Sequence, residues 1–145
     1  MIAGMFDDGA LPVLERMVQF TERRHRLLTD NIANLSTPFF KPVDLDTDSF
    51  QRQLGQAIDD RRRSATPVAG PLRLRDSGQV RFQPDGLDVR PQATNDNVLF
   101  HDQNNRSLER TMQHLAENTM AHNMAIEMLR SRYGMLQLAI RERVA

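Results

Sequence analysis

The sequence predicts a mainly α fold. Two long terminal helices with heptad seams pack as a coiled-coil-like hairpin, joined by an irregular middle segment. Three observations carry this expectation. Apolar residues near the N-terminus recur in steps of three and four. The C-terminal segment repeats that pattern over a longer stretch. Between them, residues 42–103 are polar and broken by Pro and Gly, with only short apolar groups. At 145 residues the chain suits one structural domain. Its parts are residues 1–41, 42–103 and 104–145.

The first helix is expected to begin within residues 9–12, with Pro12 in the tolerated first turn. Its seam is Leu11, Leu14, Val18, Thr21, His25, Leu28, Ile32 and Leu35. The exposed side carries Glu15, Arg16, Glu22, Arg23, Arg24 and Arg26. Pro38 disfavours the α conformation at Thr37, so the helix should stop near residues 34–37. Asn34 is read as a left-handed cap. Phe39 and Phe40 then bring two adjacent rings, pointing different ways if the chain is extended, one toward the helix pair and one toward a neighbour.

In the middle segment, Asp48-Ser49-Phe50-Gln51 resembles a capping box, and Phe50, Leu54, Ala57 and Ile58 share one face. A short helix is expected there, ended by residues 59–63. Leu72 and Leu74 alternate with Arg73 and Arg75, and Val80 and Phe82 with Arg81 and Gln83. With turns at residues 76–78 and 84–86 and a last pair in Leu87 and Val89, this reads as a small β-meander. It holds too few apolar residues to stand alone.

The C-terminal helix has the longer seam: Leu108, Met112, Leu115, Thr119, His122, Ile126, Leu129, Tyr133, Leu136 and Ile140. Asn104, Asn105 and Ser107 are N-cap candidates. Arg141 and Arg143 suit the negative end of the helix dipole. On a helical wheel centred on His122, a second apolar stripe falls near the opposite pole: Met120, Met124, Met128, Met135 and Leu138. A hairpin covers one face of a helix, and helices apolar on two sides are usually buried on two sides. Met fits non-identical surfaces well. This stripe is the expected subunit interface; cover by the middle segment is the alternative.

Composition narrows the function. Hydrophobic residues make up 39% and charged residues 26%, with nineteen basic against nineteen acidic. A net charge of zero argues against a bulk nucleic-acid binder and favours association. There is no cysteine, so disulfides and thiol chemistry are excluded. Residues 1–8 lack a basic and an apolar run, so no cleaved secretory signal is expected. No catalytic, phosphate-binding or metal-binding motif occurs. His114 and His122 lie two helical turns apart, too far to chelate one ion. His25 and His122 read as polar seam residues, and Arg61-Arg62-Arg63 as a solvated run beside Asp59 and Asp60. The expectation is a non-enzyme with no cofactor, no metal, no nucleic acid and no small-molecule substrate.

Two segments carry a family resemblance. Asp30-Asn31-Ile32-Ala33-Asn34-Leu35-Ser36-Thr37-Pro38-Phe39-Phe40-Lys41 resembles the NNIAN-x-x-TP-G-[FY]-K signature of bacterial flagellar axial proteins. The matching positions are Asn31, Ile32, Ala33, Asn34, Thr37, Pro38 and Lys41, and Phe39 stands in place of the usual Gly. Asn104-Asn105-Arg106-Ser107-Leu108-Glu109-Arg110, Glu117-Asn118, residues 125–129 and Ser131-Arg132-Tyr133-Gly134-Met135-Leu136 are similar to the last helix of a proximal-rod member. Here Gln103 replaces a favoured Gly, and Arg106 and Ser107 replace Val and Asp. The resemblance implies a structural subunit of the basal-body rod in the periplasm, exported unfolded without a cleaved signal. The partners it implies are further copies of the chain, FlgC-like rod subunits, a FliE-like rod-base adaptor and the flagellar export apparatus. A cytoplasmic coiled-coil adaptor or export chaperone is the competing expectation.

Overall fold

A computed structural model describes residues 9–64, 72–83, 86–93 and 108–144. The architecture is mainly helical: two long terminal helices and, between them, a short helix with two small two-stranded sheets. In chain order the elements are α1 (Leu11–Ala33), β1 (Val43–Asp44), α2 (Thr47–Arg62), β2 (Val80–Gln83), β3 (Gly86–Val89), β4 (Gln92–Ala93) and α3 (Leu108–Val144).

Helix α1 starts where Pro12 allows it, with Pro in the first turn. It runs antiparallel to α3, as three cross-links show. Glu15 meets Tyr133, Thr21 meets both Asn118 and His122, and Asp44, beside Arg24, meets His114. At 1.5 Å per residue α3 is about 55 Å long and α1 about 35 Å. The longer helix therefore cannot be covered along its whole length by the shorter. Leu108, Met112 and Ile140, expected on the seam, are 43%, 50% and 45% exposed.

The packed centre of α3 also differs from the expected one. Its buried residues are Asn118 and Ala125, with His122 only half-buried. Asn118 and Ala125 lie about 50° around the helix from His122. The small Ala125 lets α1 approach closely, and the amide of Asn118 donates to the Thr21 carbonyl at 2.8 Å. The remaining seam positions Leu115, Ile126, Leu129, Tyr133 and Leu136 are half-buried, as are Val18 and Ile32 on α1, while Leu14 and Leu28 are buried. His25 is exposed, so α1's seam passes from Thr21 to Leu28 without it.

The hydrophobic core lies on a neighbouring face of α1, about 100° around the helix, against the middle segment. Phe20, Leu45, Phe50, Leu54, Val80 and Leu87 form it, with Val13, Met17, Leu27 and Ile58 packed around. Phe20 and Phe50 stack at a centroid distance of 3.9 Å and an interplanar angle of 6°. Helix α1 is thus the central element, with α3 on one face and α2 with the β2–β3 hairpin on another. Val13, Met17, Phe20, Arg24, Leu27 and Asn31 form a second seam in steps of four and three, interleaved with the first.

Helix α2 begins two residues before the expected capping box. Asp46 is the N-cap, and its carboxylate accepts the Ser49 N–H at 2.9 Å. The helix ends within the expected segment, at Arg62, with Arg63 as its C-cap. Of the expected meander only β2 and β3 form, paired from Val80↔Val89 to Gln83↔Gly86. Residues 72–77 make no strand, though Leu72 and Leu74 pack on the core. Asp76 Oδ1 accepts the Phe82 N–H at 2.9 Å, filling a backbone donor that a third strand would use. An unforeseen pair, β1 with β4, joins Val43↔Ala93 and Asp44↔Gln92. Residues 84–85 and the N-cap candidates Asn104, Asn105 and Ser107 lie outside the described residues.

Candidate subunit interface and exit motif

The exit from α1 is built from the signature residues. Asn31 is 4% exposed and grips β1 like a strand partner. Its Nδ2 donates to the Val43 carbonyl at 2.7 Å, and its Oδ1 accepts the Val43 N–H at 3.1 Å. Both polar groups of Val43 are thereby satisfied at a buried site, which a leucine or alanine could not do. Asn34 caps the helix, but not in the left-handed form: its φ is −99° and ψ 9°. Its N–H and Nδ2 both donate to the Asp30 carbonyl, at 3.1 and 2.9 Å. The Thr37 N–H donates to the Asn34 carbonyl at 2.9 Å, and Thr37 Oγ1 lies 3.4 Å from Asn34 Oδ1. Ala33 and Lys41 are exposed.

The chain then turns instead of extending. The Phe40 N–H donates to the Thr37 carbonyl at 3.3 Å, with Pro38 and Phe39 at the two central positions. Phe39 has φ +60°, the left-handed value that the second central position of a type II turn requires. Glycine adopts this freely; an L side chain there costs about 1–2 kcal/mol. The Phe39 ring is 75% exposed, so burial within the chain does not offset that cost. Phe40 is half-buried.

Beside the exit, Arg24 and Asp44 form a nearly buried bidentate pair. Arg24 Nε donates to Oδ1 at 2.8 Å, and a terminal nitrogen to Oδ2 at 2.7 Å. The side chains are 9% and 14% exposed. His114 Nδ1 lies 3.6 Å from the same Oδ2, so one carboxylate touches α1 and α3 while sitting in β1. By its charge Arg24 reads as a surface residue, because the sequence pattern does not reveal a partner twenty residues away. The second seam on α1 was the signal that would have placed it inside.

The methionine stripe lies open. Met120, Met124, Met128, Met135 and Leu138 are 73%, 60%, 44%, 49% and 61% exposed. With the packed centre at Asn118 and Ala125, the stripe flanks that face, about 115° away, and does not oppose it. Among the described residues, eight of the nine large apolar side chains left exposed are on α3; the ninth is Phe39. The described residues of the middle segment pack on α1, and the stripe stays exposed. Burying a methionine or leucine fully is worth about 1.5–3 kcal/mol, so the four methionines and one leucine offer a sizeable driving force for association.

Among the described residues no three His, Asp or Glu side chains come together as a metal-holding group. No described helix is long and apolar enough to cross a membrane. A cleft of about 210 Å³ opens between the three helices, lined by Met17, Phe20, Phe50, Leu54, Asn118 and Ala121 among others. The titratable groups on its lining are Arg24, already paired with Asp44, and Glu117.

No protein-family model matches the chain. The chain is similar to the flagellar basal body rod protein FlgB of Borrelia hermsii, with 29% identity over 118 residues, spanning 79% of this chain and 83% of the relative.

Proposed function

We propose that this chain is a structural subunit of the bacterial flagellar basal-body rod, in its proximal part, and not an enzyme. The observation that carries this reading is the similarity to a rod protein along most of both chains. The physics supports it independently. An assembly subunit needs apolar surface that its own fold leaves open, and the stripe from Met120 to Leu138 is such a surface. Contacts between unlike patches of neighbouring copies generate helical assemblies when the rotation from copy to copy does not close into a ring. In this reading the helices pack side by side into a tube that transmits torque and lets exported subunits pass. The chain reaches the periplasm through the flagellar export apparatus without a cleaved signal. Its neighbours are further copies, FlgC-like subunits above and a FliE-like adaptor below.

Fractionation tests the reading. The tagged chain, expressed in its flagellated host, should co-purify with detergent-resistant basal bodies. Recovery only in the cytosol, in cells that swim, would replace the reading with a cytoplasmic adaptor or export chaperone.

A further inference from the structure

We propose that Phe39 is a docking knob for a second copy of this chain. Its ring enters the cleft between α1, α2 and α3 of the next copy, head to tail. The inference rests on the rod-subunit reading and names one contact within it.

Four observations meet here. Phe39 occupies a backbone conformation that suits glycine, and its ring is 75% exposed. Such an outlier persists when something beyond local preference requires it. The cleft has the size of one ring: an apolar cavity of about 150 Å³ holds benzene, and this one measures about 210 Å³. The stacked Phe20 and Phe50 form part of its wall beside polar Thr21, Thr47 and Gln51, with Ala121 leaving space opposite. The charges around knob and cleft are complementary. Lys41, exposed two residues after the knob, would face Glu117, exposed on the cleft rim.

A chain cannot fill its own cleft. From Phe20 to the end of α1 is about 20 Å of helix, and Phe39 lies on the turn beyond it. Knob and cleft are therefore separate patches on one molecule. A contact between unlike patches propagates from copy to copy.

Lys41 is the one lysine in the chain, which makes carbodiimide coupling selective for it and the terminal amine. Full-length chain should be mixed with an equal amount of heavy-nitrogen-labelled chain, at concentrations where it sediments as oligomers, and coupled. We expect Lys41–Glu117 peptides of mixed isotope composition and a ladder of covalent oligomers. Phe39→Gly should lower that yield by about tenfold or more, the share expected for one buried aromatic ring. Phe39→Tyr should keep it within about twofold. Phe39→Gly should also raise the melting temperature of the dilute chain, because glycine fits the turn; a merely structural ring would lower it. Oligomers without the Lys41–Glu117 peptide, a yield indifferent to Phe39→Gly, or coupling that stops at dimers would each overturn the knob. A chain that stays monomeric throughout would overturn it as well. None of these results bears on the rod reading, which stands or falls on recovery in basal bodies.

Discussion

The Tyr133 hydroxyl donates to Glu15 Oε1 at 2.8 Å, joining residues 118 apart in the chain and fixing the far end of α3 against the first turns of α1. The hydrogen bond to Glu15 raises the Tyr133 pKa above its ordinary 10.0, with burial and the Glu15 charge acting in the same direction. The neutral phenol is therefore favoured in the fold. Its contribution to stability is complete below pH 10.0 and is lost as pH rises through the higher folded-state value. Thermal melts should show a falling melting temperature above that pH. Tyr133→Phe should flatten this fall, and an equal slope in both proteins would mean that the contact is not formed.

The Arg24–Asp44 pair should be asymmetric under mutation. Asp44→Ala leaves a nearly buried guanidinium unpaired and should destabilise the chain by about 3–5 kcal/mol in urea titrations. Replacing both residues by apolar ones of similar size should cost much less. Equal losses from the single and double variants would show that the pair is not what Arg24 needs.

Asn31 should behave as a backbone partner. Asn31→Leu keeps the volume but leaves the Val43 N–H and carbonyl without their bonds, at a cost of about 1–3 kcal/mol for each buried group left unpaired. Hydrogen exchange at the Val43 amide should quicken in that variant. Unchanged exchange would place the closing bond elsewhere.

Phe50→Ala should cost about 3–5 kcal/mol, since it removes one of two stacked rings from the core between α1 and α2. Proteolysis of the variant should then begin in α2 or the β2–β3 hairpin. Cleavage first within α3 would show that the middle segment does not depend on this core.

How much of this was legible in the sequence follows from where the information lies. The two long helices were readable because Leu14, Leu28, Leu115 and Leu129 repeat at helical spacing whatever they touch. The second seam on α1, about 100° around the helix from the first, is hidden in the sequence because Arg24 and Asn31 interrupt it. Both are buried only because Asp44 and Val43 supply partners from elsewhere. The true centre of α3 was missed because Asn118 and Ala125 carry no hydrophobic signal: one is chosen for a hydrogen bond, the other for smallness. The first expected strand failed because alternation in Leu72 and Leu74 reports burial on one side, not pairing. The methionine stripe was visible as a pattern. The turn at Pro38 and Phe39 was not, since phenylalanine gives no hint of a positive φ.

The central claim is that the open stripe on α3 is where neighbouring subunits pack. Met124 tests it most directly, being 60% exposed in the chain and turned away from Ala125. Met124→Asp should leave folding and export intact but bury an unpaired carboxylate at each subunit contact, costing several kcal/mol. Met124→Leu keeps apolarity and nearly the same volume and should be tolerated. The measurement is recovery of each variant in detergent-resistant basal bodies, with secreted protein detected for both. We predict that the aspartate variant is absent from basal bodies in cells that do not swim, and that the leucine variant assembles. Normal assembly of the aspartate variant would contradict the account, because the stripe would then face water in the finished structure.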